Sequence, residues 1–414
     1  MSNKAEKSRL VPKLRFPEFR GAAKWDVKPL GKICDVLNNR RKPITSSDRV
    51  SGPYPYYGAS GIVDYVNDFI FDERLLLIGE DGAKWGAYDK TAFIVEGKYW
   101  VNNHAHVLKP FGAKDTLLEN YLTMLDLGPF VTGAAPPKLT LGKLKEVPVP
   151  LPSCFDEQEK IADCLASLDV LLTLEAQKLD TLKTHKKGLM QQLFPAEGET
   201  LPKLRFPEFR DAGEWKQKLI EDFFDVGSSK RVLQQDWTTH GVPFYRTREL
   251  VSLSKNEPFG SEIFISEELF REISKNYGLP TEGDFLVSGV GTLGISYQVQ
   301  AQDRFYFKDG NVLWFKLKGG IVSTFFKYCF EADDIQNQIL GQASISTVGT
   351  YTIQNAKVTK FTCPPNTEEQ QKIADCLASL DDLITAQTQK LAALNTHKKG
   401  LMQQLFPALD EVAA

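Results

Sequence analysis

The 414-residue chain lacks several features that mark exported or membrane proteins. Its longest apolar runs, such as RLLLIG near Leu75, are far too short to span a bilayer. The N-terminal sequence MSNKAEKSRL has no apolar stretch of the kind found in secretion signals. Six scattered cysteines form no CxxC pair, which is typical of free thiols in a reducing compartment. We therefore expect a cytoplasmic protein with no membrane partner.

The chain also lacks an excess of charge of either sign. Lysine and arginine number 50 and the acidic residues 53, so the net charge is −3. Any basic surface for nucleic acid would therefore have to be local. The apolar content of 42% and the length of the chain are typical of a globular protein with two or three separate cores.

Motifs for common catalytic and cofactor sites are missing from the sequence. We find no Walker lysine motif, no NPPY-like methylation motif, no nuclease carboxylate cluster and no Ser-His-Asp set. The segment GVGTLG at 289–294 has the letters of a dinucleotide fingerprint, but β-branched and aromatic residues follow where a helix should begin. A glycine hairpin between two strands fits it better. His104 and His106 could share one strand face as metal ligands, but no further Cys or His cluster completes a site.

What the sequence does contain is a long internal repeat. Residues 156–196 and 368–408 are identical at about three-quarters of their positions and both end in HKKGLMQQLFPA, at an offset of 212. PKLRFPEFR occurs at 12–20 and again at 202–210, at an offset of 190. The blocks in between share little beyond a loose pattern that indicates mixed α/β structure. The chain is therefore a tandem duplication with nearly identical frames and divergent inserts.

Both copies of the longer repeat predict a helix with a coiled-coil seam. Apolar residues recur at spacings of three and four over 161–193 and over 373–405. Polar residues interrupt the two seams at equivalent places, namely Glu175 with Gln387 and Lys186 with Lys398. Such positions can fix the register and the partner of a helix. We expect the two copies to pack on each other; packing of each helix on its own domain is the alternative.

Cations, amides and aromatic residues in the inserts form a candidate binding set. A basic pair occurs at equivalent places in the two halves, as Arg40-Arg41 and Lys230-Arg231, again at an offset of 190. Such a pair can contact phosphate or a guanine edge, although a solvated turn is the alternative interpretation. The full set is Arg40, Arg41, Tyr56, Tyr57, Lys84, Trp85, Asn103 and His104 in the first half, and Lys230, Arg231, Tyr245, Arg246, Arg248, Thr292 and Asn311 in the second.

The whole chain resembles the specificity subunit of type I restriction–modification systems. VPLPSCFDEQEKIA and TCPPNTEEQQKIA resemble that family's boundary between insert and helix, and LLLIGEDGAKWG and FLVSGVGTLG resemble its strand and glycine hairpin. The resemblance implies an α+β fold with two α/β target recognition domains, separated by two long helices packed as an antiparallel coiled coil in a pseudo-twofold tandem repeat. The expected segments are a first recognition domain at 1–155, a first spacer helix at 156–196, a second recognition domain at 197–367 and a second helix with the C-terminal tail at 368–414.

The same resemblance implies a non-catalytic subunit whose two domains each read one half of a bipartite site in double-stranded DNA. The helices would set the gap between the half-sites and dock two modification subunits, and restriction subunits would join them. No cofactor is expected on this chain; S-adenosylmethionine is expected on the modification subunits, and ATP and magnesium on the restriction subunits. Two alternatives remain: a methyltransferase or nuclease in its own right, or a coiled-coil scaffold for other proteins.

Overall fold

The computed structural model describes residues 10–255, 257, 259–343 and 349–408. It divides into two compact units, Met1–Lys178 with Gln387–Ala414, and Leu179–Ala386. Each of two long helices contributes one part to each unit. The outer ends of the first and last expected segments, residues 1–9 and 409–414, lie outside the described ranges.

The first unit combines two four-stranded sheets with a two-stranded ribbon among its described residues. Its strands in chain order are β1 (Asp26–Pro29), β2 (Cys34–Val36), β3 (Tyr54–Gly58), β4 (Gly61–Val66), β5 (Phe71–Asp72), β6 (Leu75–Gly79), β7 (Ala92–Val95), β8 (Lys98–Val101), β9 (Ala105–Pro110) and β10 (Pro148–Leu151). Its helices are α1 (Asp115–Met124), α2 (Leu141–Glu146) and the start of α3 (Phe155–Leu193). One sheet has the antiparallel order β2-β9-β6-β7, the other the order β4-β3-β8-β5 with β3 and β8 parallel, and β1 pairs with β10.

The second unit repeats this plan with a different insert. Its strands are β11 (Lys216–Leu219), β12 (Phe224–Ser228), β13 (Trp237–Thr238), β14 (Val242–Tyr245), β15 (Phe264–Ile265), β16 (Phe285–Ser288), β17 (Ser296–Gln298), β18 (Tyr306–Phe307), β19 (Val312–Leu317) and β20 (Lys360–Cys363). Its helices are α4 (Ile220–Phe223), α5 (Thr247–Ser254), α6 (Glu267–Tyr277), α7 (Ser323–Glu331), α8 (Asp333–Ala343), α9 (Ile353–Val358) and the start of α10 (Thr367–Leu405). The sheets have the orders β12-β19-β16-β17 and β13-β15-β14-β18, with β14 and β18 parallel, and β11 pairs with β20.

Uninterrupted apolar runs mark the inner strand of the antiparallel sheet in each unit. All five residues of β6 (LLLIG) and all four of β16 (FLVS) are buried, and each strand has a neighbour on both sides. A strand covered on both faces needs apolar side chains at consecutive positions rather than at alternate ones. The glycine loop that follows each strand is thereby held at the end of a rigid element.

The two long helices have the burial pattern that their seams predict. Both contain 39 residues and are therefore about 58 Å long. Every seam position from 161 to 193 and from 373 to 405 is buried or half-buried, although most residues between them are exposed. A seam with alternating spacings of three and four turns one continuous stripe towards a partner helix. The coiled-coil prediction is confirmed within each unit.

Ion pairs along the seam show the direction of the helices in the first unit. Lys398 Nζ lies 2.6 Å from Asp169 Oδ1, while Gln387 Nε2 donates to Glu175 Oε2 at 2.6 Å. Lys390 Nζ also contacts Glu175, at 2.5 Å. As the residue number increases from 169 to 175 on α3, the number of the partner residue on α10 decreases from 398 to 387. The two helix segments are therefore antiparallel. The polar seam residues are therefore satisfied by partners on the opposite helix, as register-fixing positions require.

The second unit contains the counterpart of one of these pairs. Lys186 Nζ lies 2.7 Å from Asp381 Oδ1. Asp381 also accepts from Tyr328 Oη at 2.8 Å and contacts Lys327 Nζ at 3.1 Å. Burial opposes ionisation of Asp381, but these three donors hold the pKa of its carboxyl below the ordinary value. The same repeated lysine and aspartate therefore join the helix segments in both units.

The repeated LFP sequence at the end of each helix completes a core. In the first unit Phe406, from the end of α10, packs edge-on against Trp25 with ring centroids 6.4 Å apart. In the second unit Phe194, from the end of α3, packs against Trp215 at 6.2 Å. Both tryptophans are 1% exposed. Each helix therefore begins in one core and ends in the other, which explains why both copies keep the same terminal phrase.

The repeated glutamate near the start of each helix binds the N-terminal frame. Glu157 accepts from Arg15 Nε and Nη2 at 2.7 and 2.6 Å. Glu369 accepts from Arg205 Nε and Nη2 at 2.7 and 2.8 Å. The indole Nε1 of the conserved frame tryptophan donates to each glutamate as well. These buried fork-to-fork pairs join segments that lie 142 and 164 residues apart in the chain.

Candidate nucleic-acid interface

Backbone hydrogen bonds bring three loops of the first unit side by side. The amide of Asn102 donates to the carbonyl of Tyr57 at 3.0 Å, continuing the parallel pairing of β3 with β8. The amide of Glu80 donates to the carbonyl of His104 at 2.8 Å, which joins the loop after β6 to the turn before β9. The candidate residues at 56–57, 84–85 and 103–104 therefore lie in neighbouring segments.

The second unit uses hydrogen bonds of the same topology. The amide of Lys308 donates to the carbonyl of Tyr245 at 2.8 Å, extending the parallel pair β14 and β18. The amide of Gly289 donates to the carbonyl of Asn311 at 2.8 Å and joins the hairpin after β16 to the turn before β19. Two inserts with divergent sequences thus hold their loops in the same backbone frame.

The basic pair of the first unit is engaged in internal contacts. Arg40 Nη1 contacts Glu73 at 2.6 Å, and its guanidinium lies 4.4 Å from the centre of the Phe71 ring. The Arg41 side chain is only 14% exposed and contacts Glu80 at 2.5 Å. It also donates to three backbone carbonyls, two of them at the turn before β9. Arg41 therefore holds the turn in place, and Arg40 keeps a partly exposed guanidinium at the surface.

Tyr56 and Tyr57 belong mainly to the core of the first unit. Tyr56 is 1% exposed, and its hydroxyl accepts from the amide of Ile44 at 3.0 Å. Tyr57 is half-buried against Phe93 and Tyr99, with ring centroids 5.9 and 5.7 Å away, and burial raises its pKa. This packing leaves the two side chains little surface to offer a ligand.

The glycine loop and the turn before β9 carry the exposed candidates of the first unit. Lys84, Asn103 and His104 are exposed, and His104 Nδ1 shares a short hydrogen bond with Asp81. Trp85 is half-buried, and its Nε1 donates to a backbone carbonyl at the end of β6 at 3.1 Å. The tryptophan anchors the loop, and Lys84 and Asn103 remain available to a ligand.

His104 and His106 do not share a face, contrary to the strand geometry considered from the sequence. His104 precedes β9 and is exposed, whereas His106 is fully buried. Asn38 Nδ2 lies 2.8 Å from His106 Nδ1, and the carbonyl of Leu139 lies 2.7 Å from Nε2, an arrangement that suits a neutral ring. Burial lowers the pKa of His106. Within the described ranges no group of three His, Cys, Asp or Glu residues could hold a metal ion.

Lys138 is a surface cation that the sequence reasoning missed. Its Nζ contacts Glu80 at 2.9 Å, and its side chain is 41% exposed. Burial opposes ionisation of Glu80, but Arg41 and Lys138 hold the pKa of its carboxyl below the ordinary value. Lys138 lies far from the glycine loop in the chain, so no local pattern connects it with this surface.

The basic pair of the second unit faces outward. The Arg231 side chain is 71% exposed, and its Nε contacts Asp309 Oδ2 at 2.8 Å. Lys230 is exposed, and its Nζ lies 5.1 Å from the centre of the Tyr277 ring. Burial opposes ionisation of Asp309, but Arg231 and Lys308 hold its pKa below the ordinary value. An equal offset in the sequence has therefore produced unequal exposure in the two units.

The other two candidate arginines of the second unit converge on one buried carboxylate. Arg246 Nη2 and Arg248 Nε contact Glu249 Oε1 at 2.7 and 2.6 Å, and Glu249 is 3% exposed. Burial opposes ionisation of Glu249, yet these hydrogen bonds lower its pKa to about 2. Tyr245 is half-buried, with its ring 4.8 Å from that of Phe305. Arg248 is the more exposed arginine, at 56% against 29% for Arg246.

The hairpin after β16 presents the remaining candidates. Thr292 is exposed, and its carbonyl accepts from Ser288 Oγ at 2.5 Å. Gly291 and Gly294 have φ values of 81° and 70°, so this turn needs residues without a Cβ. Asn311 is exposed in the adjoining turn. The strand–glycine hairpin–strand prediction is confirmed here, since β17 follows the loop and no helix begins there.

Comparison with protein-family models matches residues 23–184 and 212–396 to the type I restriction modification DNA specificity domain. The chain belongs to this family. Its two matches fall on the two halves of the duplication, which confirms the resemblance seen in the frame sequences. The role of specificity subunits in a type I complex is non-catalytic.

Curated relatives of this specificity-domain chain are similar to it over most of their length. A type I restriction enzyme specificity subunit of Haemophilus influenzae is 33% identical over 371 residues, covering 88% of this chain and 89% of the relative. The MjaVIII specificity subunit of Methanocaldococcus jannaschii is 21% identical over 422 residues, covering 95% and 93%.

Solved structures of the family share the fold. The crystal structure of a type I S subunit from M. genitalium has a TM-score of 0.64 and 14% identity, and the match covers 97% of this chain and all of that one. A structure described in work on complex assembly of a type I system has a TM-score of 0.53 and 15% identity, covering 93% and 98%. The expected α+β tandem repeat with long helices is confirmed. In the part of the chain that the structure describes, no helix is long and apolar enough to cross a membrane.

Proposed function

We propose that this chain is the specificity subunit of a type I restriction–modification complex, and that the insert of each unit reads one half of a bipartite site in double-stranded DNA. One observation carries the proposal. The two units hold three equivalent loops with the same backbone hydrogen bonds, while the side chains on those loops differ. A shared frame with different exposed groups suits two readers of two different half-sites.

The exposed candidate side chains are the proposed contacts. They are Arg40, Lys84, Asn103 and His104 in the first unit, and Lys230, Arg231, Arg248, Thr292 and Asn311 in the second. Arginine, lysine and amide side chains contact phosphates and base edges in protein–DNA complexes. We assign the support of these loops to the buried or half-buried members of the predicted set, which are Arg41, Tyr56, Tyr57, Trp85, Tyr245 and Arg246.

The long helices are the proposed spacer and docking element. Two modification subunits would bind the repeated segments 156–196 and 368–408, one on each copy, and restriction subunits would join that complex. The recognition domains would then be the intervening segments 1–155 and 197–367. S-adenosylmethionine would be held by the modification subunits, ATP and magnesium by the restriction subunits, and no cofactor by this chain. The complex would act in the cytoplasm.

A direct test is DNA modification by the chain co-expressed with the modification subunit from the same genome. Sequencing of methylated positions in a randomised library should give two short specified blocks separated by a gap without base preference. Methylation by the purified chain alone would instead favour an enzyme. A complex that modifies DNA equally well with and without this chain would favour a scaffold.

A further inference from the structure

Two exposed arginines in the second unit are each held at Nε by a carboxylate that is much less exposed than the arginine. Arg231 Nε lies 2.8 Å from Asp309, whose side chain is 11% exposed. Arg248 Nε lies 2.6 Å from Glu249, whose side chain is 4% exposed. The arginine side chains themselves are 71% and 56% exposed. In both cases a carboxylate of low exposure, Asp309 or Glu249, fixes the plane of a solvent-facing guanidinium.

The outer edge of the Arg231 guanidinium is available, and that of Arg248 contacts one exposed carboxylate. Arg231 Nη1 and Nη2 have no hydrogen-bond partner among the described residues. Arg248 Nη2 contacts Glu262 at 2.5 Å, and Glu262 is the most exposed carboxylate of this group, at 68%. Surface ion pairs of this kind are screened and weak, so a ligand can replace Glu262.

We propose that Arg231 and Arg248 each read a guanine through the Nη1 and Nη2 edge, and that Asp309 and Glu249 are the positioning residues. This inference rests on the proposed function of the chain. Guanine presents O6 and N7 as two adjacent acceptors in the major groove, which a planar arginine fork matches. The second half-site therefore contains two G·C base pairs at the positions these arginines reach.

The fixed orientation of the two guanidinium groups favours base reading. Charge does not decide between a base and a phosphate, because each carboxylate also pairs with a second cation, Lys308 at Asp309 and Arg246 at Glu249. A phosphate contact gains mainly by neutralising charge and releasing counterions. What the carboxylate adds is a guanidinium held in one plane, and a fork held in this way matches the two adjacent acceptors of guanine.

Arg304 of the same unit is a matched control. Its side chain is also 56% exposed, but Nη1 and Nη2 both contact Glu267, at 3.0 and 2.5 Å. Its fork is therefore occupied by a carboxylate, and none of its hydrogen bonds goes to a buried acid. A general effect of replacing an exposed arginine of this unit by lysine would appear in Arg304→Lys and Arg231→Lys alike.

The test uses the full chain in complex with its modification subunit and selects methylated molecules from a randomised duplex library. Arg231→Lys and Arg248→Lys keep the charge and lose the fork, so each should lower the preference for guanine at one base pair by roughly 5- to 150-fold. The dependence of binding on salt should stay unchanged. Asp309→Asn and Glu249→Gln should relax the same two positions, while Arg304→Lys changes none. Glu262→Gln should strengthen binding.

The outcomes separate this inference from the function beneath it. If the wild-type complex selects no sequence at all, the proposed function fails. If the wild-type selects a bipartite site but both lysine variants keep the full guanine preference, the arginines do not read bases. Loss of affinity that is equal for all sequences in Arg231→Ala and Arg248→Ala would assign them to phosphates and overturn the inference. Thermal unfolding of each variant shows whether it is folded, and the two lysine variants alter only exposed side chains.

Discussion

The two recognition units place the same basic pair in opposite environments. Arg41 of the first unit is 14% exposed and contacts Glu80 and the turn before β9, whereas Arg231 of the second is 71% exposed. Both positions follow equivalent strands, β2 and β12, at the same offset in the sequence. The duplication has therefore preserved the position of the basic pair but not its exposure.

The contacts of the frame residues, unlike those of the basic pairs, are nearly the same in the two units. Glu157 and Glu369 bind their arginine and tryptophan partners with nearly the same distances in both units. Phe406 and Phe194 pack on equivalent tryptophans at 6.4 and 6.2 Å. The repeated frame residues thus keep the same internal contacts in both units, whereas the inserts keep only the positions of their loops.

The largest expected effect comes from lengthening the helices. One heptad inserted after both Leu179 and Leu391 preserves the seam and extends the pair by roughly 10.5 Å. At about 3.4 Å per base pair, the half-sites would separate by about three base pairs and rotate by about 100°. Methylation of a library with varied gaps should shift to a longer gap or be lost. An insertion in one helix should lose activity outright, because its seam is then unmatched; full activity at the original gap would show that the helices do not measure it.

Loss of the frame glutamate should destabilise the first unit as much in Glu157→Ala as the second unit in Glu369→Ala. Each side chain is 1% exposed and pairs with a buried arginine. Glu157→Ala and Glu369→Ala each leave that arginine without its anion, so each should cost about 3–5 kcal/mol. Urea unfolding of the two variants provides the measurement. A difference of more than about 1.5 kcal/mol between them would mean that the frames are not equivalent.

Replacing one arginine of each basic pair should show that Arg41 supports the fold and that Arg231 contributes to recognition. Arg41→Ala leaves Glu80 with fewer donors and should destabilise the first unit by about 1–3 kcal/mol. Arg231→Ala should leave the melting temperature unchanged, because the side chain is 71% exposed, yet it should alter selection in one half-site. Calorimetry and library selection on the same two variants distinguish these effects. Equal melting temperatures for both would contradict the inward assignment of Arg41.

Acid should test the buried carboxylate of the second unit. The pKa of Glu249 is about 2, which lies below the ordinary value of about 4.3 for glutamate in an unfolded chain. The carboxylate therefore stabilises the fold above about pH 4.3, and this contribution is lost as the pH falls towards 2. Glu249→Gln should be less stable than wild type at pH 7 and should lose less stability over that interval. Wild type and Glu249→Gln would be unfolded with urea at a series of pH values. An equal loss of stability in the two proteins as the pH falls would contradict a lowered pKa for Glu249.

The helices and frames could be predicted from the sequence because their signals are periodic or repeated. The spacing of three and four persists from Ile161 to Leu193, and burial follows it. The partners of the frame could not be predicted in this way: Glu157 meets Arg15 across 142 residues, and no local pattern links them. The repeat marked both residues without indicating that they are in contact.

The candidate interface was predicted as a set of loops more successfully than as a set of side chains. The loops were predicted because glycine hairpins and turns interrupt apolar strands, whereas their positions side by side follow from the backbone hydrogen bonds of the structure. Tyr56 resembles an exposed aromatic in the sequence, but its side chain is buried in a cluster with Val66 and Trp100. The different environments of Arg41 and Arg231 depend on Glu80 and Asp309, which come from the divergent inserts. Side-chain exposure follows from such long-range partners, which the spacing of residues does not encode.

The claim that each unit reads its own half-site is tested most directly by replacing one insert. Residues 26–150 would be exchanged for the corresponding insert of a relative, with the frames and both helices unchanged. Sequencing of methylated positions in a randomised library, with the wild-type complex in parallel, provides the measurement. The account predicts that one specified block changes while the other block and the gap stay the same. A change in both blocks, or in neither, would contradict it.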